Sequence, residues 1–428
     1  MNGTPPSQQS EHTARQDPLR VRPRVLVIDE EIPWPANTGK RLRTSNLLTC
    51  LARDFQIDLL VHAGGATPEA TEEMRHRGIV VLTANSRVPE KSGLLLPARI
   101  VASLAARLPY SVYSHYHRGY QRALDDALAK ERYRLVHCEW TPYAIYTDSV
   151  RLPVCIAAHN VEWAIWQRMT SAERRPAHKY LYRVQASLMK RFEERVFAST
   201  RYATAVSEGD AEVIRSLGCR EVIVVPNGVD ANTYTVPASD NAAPRSLVFT
   251  GSMDWRPNQD AIRWFIDAVH PIVMQQHGDY RLHVVGRTPP AWMQDRSVMP
   301  PQIIATGTVD DVRPYIEGAA VYVVPLRAGG GSRLKILEAL SMGRPVVSTT
   351  VGAEGLDVIP GVHLLTEDTA EGFASTLTAL WNDAGRRRAL GMAGRALIEG
   401  RYRWEQIAPI QGEVWTRAIA EAAGRADV

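Results

Sequence analysis

Residues 319–350 read AAVYVVPLRAGGGSRLKILEALSMGRPVVSTT, and the residue types divide this stretch into strand, glycine loop, helix and strand. Residues 321–325 are a short β-rich run, after which Gly329, Gly330, Gly331 and Ser332 let backbone N–H groups approach a ligand without a Cβ in the way. Leu334, Ile336, Leu337, Leu340 and Met342 give the next segment one apolar helical side, and Gly343-Arg344-Pro345 stops it before a buried strand at 346–349. A glycine loop that opens a helix offers unpaired N–H groups and the positive end of a helix dipole, which together favour an anion such as a diphosphate. Arg333 and Lys335 add full positive charges in the first turn. There they oppose the dipole, so the pattern suits a phosphate ligand better than stability alone. Glu338 shares a helix face with Lys335, which lets its carboxylate accept hydrogen bonds from sugar hydroxyls near the cations. A surface Lys–Glu pair on an ordinary βαβ turn would read the same way in isolation, and the rest of the chain bears on the choice.

At 428 residues the chain exceeds one ordinary domain. Its 45% apolar and 22% charged residues are those of a soluble globular protein. It contains no uncharged apolar run of about 18 residues that would span a membrane. Residues 1–20 are polar and lack an apolar signal segment, so they are expected to be a disordered leader on a cytoplasmic protein. Cys50, Cys138, Cys155 and Cys219 form no CxxC pair; neither a zinc site nor a disulfide framework is expected. Residues 1–235 carry 31 Lys/Arg against 25 Asp/Glu and the remainder 19 against 21, an asymmetry that would suit an anionic membrane surface or acceptor on the first half.

Along the chain, residues 24–28 are a buried-strand candidate, 29–38 a loop with two prolines, and Gly39 opens a helical pattern before a strand at 55–61. That is a βαβ unit with glycine at the strand-to-helix turn, where open α/β sheets bind ligands. The apolar segment 94–108 reads as a core helix rather than an interfacial membrane helix, since only Arg99 and Arg107 accompany it. Strands are expected at 135–138, ending at Glu139 and Trp140, and at 154–158, ending at His159. A histidine in a turn is often purely structural, but His159 sits beyond the carboxyl end of its strand, the usual ligand edge. Residues 168–197 read as one long helical region with a solvated, mixed-charge face. Pro226-Asn227-Gly228-Val229-Asp230 is a strong turn. Residues 237–244 have linker composition, and the βα alternation then restarts, giving a second doubly wound sheet.

Two successive Rossmann-like domains with ligand loops in both resemble the GT-B architecture of nucleotide-sugar glycosyltransferases. More specifically, the motifs resemble retaining glycosyltransferase family 4, enzymes of bacterial polysaccharide and glycolipid biosynthesis. The resemblance covers nearly all of residues 24–407 and rests on Gly39, His159, Pro226 to Asp230, the run Thr250-Gly251-Ser252-Met253-Asp254-Trp255, Val285-Gly286-Arg287 and the glycine loop through Glu338. It implies an α/β fold of two doubly wound parallel-sheet domains facing an interdomain cleft. Residues 21–236 would form the acceptor domain and 245–400 the nucleotide-sugar domain, with 401–428 a helix packing back on the first. It also implies that Gly39 lies near the reacting sugar and diphosphate, that His159 lies beside the sugar, and that the Gly286-Arg287 and Thr308-Val309 turns read the base through backbone. The second glutamate of the family signature, which binds the donor ribose, matches Glu338. The first falls on Gly330, so the chain resembles a subgroup with a glycine loop there, and the N–H groups of Gly330, Gly331 and Ser332 would hold the sugar. The family's phosphate-binding Arg and Lys would lie in the loop from Gly251; here Ser252 stands at the Arg position and no cation at the Lys position. Arg333 and Lys335 are expected to substitute for them, because the departing diphosphate's charge must be balanced.

The expected function is therefore transfer of a sugar from a nucleotide diphosphate sugar to a hydroxyl of a lipid-linked or oligosaccharide acceptor, with retention of configuration. Neither a metal nor a separate cofactor is expected, there being no Asp-x-Asp run at a strand end to hold a divalent cation. His159, Arg333 and Lys335 are the candidate catalytic residues. Peripheral contact with the inner membrane surface fits the basic first half, and no nucleic-acid partner is expected. Two rival readings share the fold: a nucleotide-sugar 2-epimerase, and a catalytically inactive nucleotide-sugar-binding subunit.

Overall fold

The computed structural model describes residues 22–88, 96–173, 175–239, 242–295, 297–328 and 333–426. The expected leader at 1–20 and Gly330, Gly331 and Ser332 lie outside the described residues.

Short continuous apolar runs, flanked by turns and too brief for helices, become strands buried on both faces. The first sheet contains β1 (Arg24–Ile28), β2 (Gln56–His62), β3 (Ile79–Ala84), β4 (Leu135–Cys138), β5 (Val154–Ala158), β6 (Tyr202–Ala205) and β7 (Glu221–Val224). Its order is β3-β2-β1-β4-β5-β6-β7, and every pairing is parallel. The second contains β8 (Ala243–Thr250), β9 (Arg281–Val285), β10 (Ile303–Gly307), β11 (Ala319–Val324), β12 (Val346–Ser348) and β13 (Leu365–Thr366). It is also parallel, in the order β10-β9-β8-β11-β12-β13. Strand order reverses once in each sheet, between β1 and β4 and between β8 and β11. Ligand crevices open at such reversals, at the carboxyl ends of the strands.

Polar caps set where the crossover helices begin: Thr38 accepts from the Arg41 N–H to start the helix Gly39–Leu51, and Ser207 accepts from Asp210 to start Glu208–Ser216. The last helix, Trp404–Ala426, returns from the second sheet to the first. Its Trp404, Ile407, Val414 and Trp415 are buried in one cluster with Val25, Val27, Leu47 and Leu48. Trp415 packs edge-on against Phe55, with ring centroids 5.1 Å apart. The chain crosses between the sheets twice and the crossings touch, the Val229 N–H donating to the Tyr402 carbonyl at 2.8 Å.

Two expectations are corrected. The region 168–197 is not one helix but two, Glu162–Ala172 and Pro176–Ser199. Pro176 has no N–H to continue the first and is instead preorganised for the opening turn of the second. The segment 94–108 is not a core helix: its described part, Leu96–Ala105, buries only Ser103 and leaves Val101 65% exposed.

If the last helix is structural for the first domain, Trp415→Ala costs about 3–5 kcal/mol, read as a lower urea midpoint for that domain. A loss below about 1 kcal/mol would show that the returning helix is only loosely seated.

Candidate active site

The reversal in the first sheet brings the ends of β1 and β4 together and gathers a charged cluster. Asp29 and Glu30 follow β1, and Lys40, one residue after Gly39, donates to Asp29 Oδ1 at 2.6 Å and Glu30 Oε1 at 2.9 Å. Its ammonium also lies 5.1 Å from the Trp140 ring centroid. Burial pushes the Asp29 carboxyl up to about 7 against the pull of Lys40. Glu30 is also penalised by burial, but Lys40 and His115, whose Nε2 lies 3.2 Å from Glu30 Oε2, outweigh this and hold it below the carboxylate range. Beyond β4, Glu139 is buried among donors: Thr44 Oγ1 at 2.9 Å, His137 Nε2 at 2.9 Å and His159 Nε2 at 3.1 Å.

In the second sheet, two glycine-containing turns close on one another. Gly251, just past β8, donates its N–H to the Val285 carbonyl at 2.9 Å. A Cβ on Gly286 would lie 1.9 Å from the Gly251 carbonyl oxygen, so only glycine fits. A Cβ on Gly251 would lie 2.7 Å from both Lys335 Nζ and Asn258 Nδ2. Lys335, from the helix Leu334–Ser341, donates to Asn258 Oδ1 at 2.9 Å and lies 4.1 Å from the Phe249 ring centroid. Burial, reinforced by the nearby Arg333 charge, pulls its ammonium down to about 7. Glu338 accepts from Tyr234 Oη at 3.3 Å, and burial raises its carboxyl. Ser252 accepts from Arg287 Nε at 2.8 Å and donates to Asp254 at 2.6 Å. Val309 packs on the cluster containing Val285 and Leu337.

A cavity of about 1160 Å³ lies between the two domains. Gly39, Lys40 and His159 line one side, and Asp254, Trp255 and Ala328 the other. The structure thus brings Gly39 and His159 together on the cleft, and Gly251, Gly286 and Lys335 together beneath its second wall. Arg333 goes elsewhere: 4% exposed, it donates to the Val351 carbonyl at 2.7 Å and lies 3.6 Å from the Glu354 carboxylate. It lines a smaller hollow of about 200 Å³ with Arg168 and Asp210, next to the cleft, which Arg168 also lines.

Sequence reasoning passed over Asp29, Glu30, Lys40, Asn258 and Tyr234. Lys40 had a signal, its place beside Gly39 at a strand-to-helix turn, but Tyr234 meets Glu338 from 104 residues away, and no local pattern encodes that. Chemically, the arrangement offers a cation with little water around it, glycine turns open to close approach, and buried acceptors for hydroxyls.

The low Lys335 pKa has a definite signature in stability. The unfolded chain holds that proton up to about 10.5 and the folded chain only to about 7, so between these values unfolding takes up a proton and stability rises with pH. Lys335→Met flattens this rise; parallel stability curves for the two proteins across the window would place the ammonium in solvent.

Comparison with known proteins agrees with this geometry. Residues 69–233 match the family described as Glycosyltransferase Family 4, and residues 244–383 that described as Glycosyl transferases group 1. An uncharacterized 44.6 kDa protein in the cps region of Klebsiella pneumoniae is 21% identical over 355 residues, 80% of this chain and 87% of that protein. A GDP-mannose-dependent monoacylated alpha-(1-6)-phosphatidylinositol monomannoside mannosyltransferase of Corynebacterium glutamicum is 27% identical over 217 residues, 46% of this chain and 55% of that one. Among solved structures, sucrose-phosphate synthase from Thermosynechococcus elongatus has a TM-score of 0.69 at 16% identity, covering 94% of this chain and 100% of that one. The Anabaena protein HepE in complex with UDP and glucose has a TM-score of 0.59 at 16% identity, covering 92% and 99%. With both halves matched and two Rossmann-like parallel-sheet domains set about a common cleft, the chain belongs to the group 1, family 4 glycosyltransferases of GT-B fold.

Proposed function

We propose that this glycosyltransferase moves a sugar from a nucleotide diphosphate sugar to a hydroxyl of a lipid-linked or oligosaccharide acceptor, with retention of configuration and without a metal. The observation that carries this reading is the Lys335 ammonium, held beside Gly251 at the carboxyl end of β8, where a diphosphate in the crevice would meet it. Such a cation acts on the charge that develops as the diphosphate leaves, and a site poor in water strengthens that effect. Arg333 assists from behind: its charge raises the local positive potential while its guanidinium holds the Val351 carbonyl. Glu338, steadied by Tyr234, takes the ribose hydroxyls. Gly251, Ser252, Gly286, Arg287 and Val309 form the nucleotide wall, and the N–H groups of Gly330, Gly331 and Ser332 receive the sugar. Gly39 and His159 face it from the first domain. The acceptor enters along the first domain, and the exposed apolar Val101 in a basic half of the chain supports contact with the cytoplasmic face of a membrane.

A thermal-shift screen with UDP, GDP, UDP-glucose and GDP-mannose tests the donor site. A nucleotide at about 100 times its Kd stabilises the fold by about 2.7 kcal/mol, and Lys335→Ala and Glu338→Ala each remove the shift. In turnover, Lys335→Ala lowers kcat by about 10²–10³-fold, or about 2.7–4 kcal/mol of barrier. No shift with any diphosphate nucleotide, or an undiminished one in both variants, would overturn the assignment.

A further inference from the structure

Behind His159, the first domain contains a buried polar chain that the reading above does not use. It begins at Trp415 in the returning helix, whose Nε1 lies 3.2 Å from His137 Nδ1. His137, wholly buried on β4, reaches Glu139 Oε2 through Nε2 at 2.9 Å. The other oxygen, Oε1, meets Thr44 Oγ1 at 2.9 Å and His159 Nε2 at 3.1 Å. Glu139 takes these three neighbours on two oxygens that, in the ionised carboxylate, can only accept, so the proton positions follow from donor and acceptor rules.

An indole N–H can only donate, so His137 Nδ1 accepts and a neutral His137 carries its proton on Nε2. That proton goes to Glu139 Oε2. Glu139 is 1% exposed, and donors surround it; burial alone would raise its carboxyl, but the hydrogen bonds from His137 and His159 hold it ionised well below the usual range. A carboxylate has no proton to give, so His159 must also place its proton on Nε2. Burial keeps His159 neutral against the pull of Glu139, and the Lys40 and Arg43 charges from the neighbouring helix act in the same direction as burial. Its Nδ1 then carries a lone pair on a ring that lines the cleft.

We propose that Glu139 is a positioning residue: itself held by His137 and Trp415, it fixes His159 as the Nε2–H tautomer, so that Nδ1 presents a hydrogen-bond acceptor to a sugar hydroxyl in the cleft. The role beside the sugar rests on the function proposed above; the tautomer does not. A carboxylate that orients an imidazole through one nitrogen sets what the other can do, and here the orienting chain is anchored in a helix that returns from the second domain.

Glu139→Gln tests this with a definite sign. A glutamine has one oxygen and one NH₂ in place of two oxygens. If the NH₂ faced His137, then His137 would have to carry its proton on Nδ1, against the Trp415 N–H. The oxygen therefore stays toward His137, the NH₂ turns toward His159 Nε2, and His159 moves its proton to Nδ1. Adding Trp415→Phe removes the conflicting donor and lets part of the population return.

The readout is the imidazole ¹⁵N spectrum of the full chain labelled with ¹⁵N-histidine, His159 being identified by the signals lost in His159→Asn. Wild type is expected to show Nε2 protonated and Nδ1 bare between about pH 6 and 8. Glu139→Gln is expected to reverse this, and Glu139→Gln with Trp415→Phe to restore it in part. An Nδ1–H tautomer in wild type overturns the proposal, and this holds even if Glu139→Gln does not fold; so does an unchanged tautomer in Glu139→Gln. With UDP-glucose and GDP-mannose as probes, Glu139→Gln lowers kcat/KM about tenfold, the worth of one hydrogen bond, with UDP or GDP affinity unchanged. A reversed tautomer with unchanged kcat/KM overturns the positioning role. Failure of wild type to bind any of these probes would instead count against the proposed function and leave the tautomer assignment standing.

Discussion

In a parallel sheet every strand must be followed by a crossover that covers one face, and where the winding reverses, neighbouring loops leave toward opposite faces and a crevice opens between them. This chain meets that constraint twice, at β1 beside β4 and at β8 beside β11. The residues with chemical potential follow from it. Asp29 and Glu30 leave β1 and Glu139 leaves β4; Gly251 leaves β8, and Ala328 stands at the start of the glycine loop after β11. Both reversals open at carboxyl ends of strands, and because loops from those ends of both sheets line the same cavity, the two crevices become one cleft.

The two walls of that cleft handle buried charge differently. On the first, Lys40 is held between two carboxylates at 2.6 and 2.9 Å, so its charge is compensated within the protein. On the second, Lys335 has a neutral amide partner at 2.9 Å and an aromatic face, while Arg333 repels it. Desolvating an ammonium is costly, and here the pull of the Glu338 charge does not offset it, so the cost appears as a pKa pulled down to about 7. An arriving dianion would remove that penalty, so the same deficit that lowers stability without ligand adds to affinity with it. A fully paired wall cannot gain in this way, which is the electrostatic reason to put the diphosphate against the second domain.

Much of this was legible in the sequence because it is local. The helix Leu334–Ser341 and the strands on either side of it declare themselves by composition and period over some thirty residues. Gly39, His159 and Gly286 could be singled out because each ends or begins an element at the ligand edge. Long-range partners were not legible. Glu139 appeared only as the end of a strand, since its neighbours Thr44 and His159 come from elements 95 and 20 residues away. Arg333 and Lys335, neighbours in sequence, part in the fold for a related reason. Adjacent positions on a helix point in different directions, so two cations separated by one residue need not reach the same ligand; the tertiary fold sends one to Asn258 and the other to Val351.

How the two walls approach each other is constrained where the chain crosses between them. The outbound crossing at Val229 and the returning one at Tyr402 share a backbone hydrogen bond. Gly228 sits so close to Trp404 that a Cβ would come within 2.8 Å of the indole. On the side of the first domain, the buried Arg43 guanidinium donates to the Val225 and Pro226 carbonyls and to the Asn227 side chain, so the outbound segment is tied down up to the crossing. Beyond Trp404 the returning helix is equally committed to the first core. Both covalent connections are therefore tied by hydrogen bonds and packing as far as the same point, which is where a rotation of one domain against the other would be taken up. A pivot shared by both crossings permits closing of the cleft while resisting sliding, and closing is the motion that removes water from a glycosyl donor.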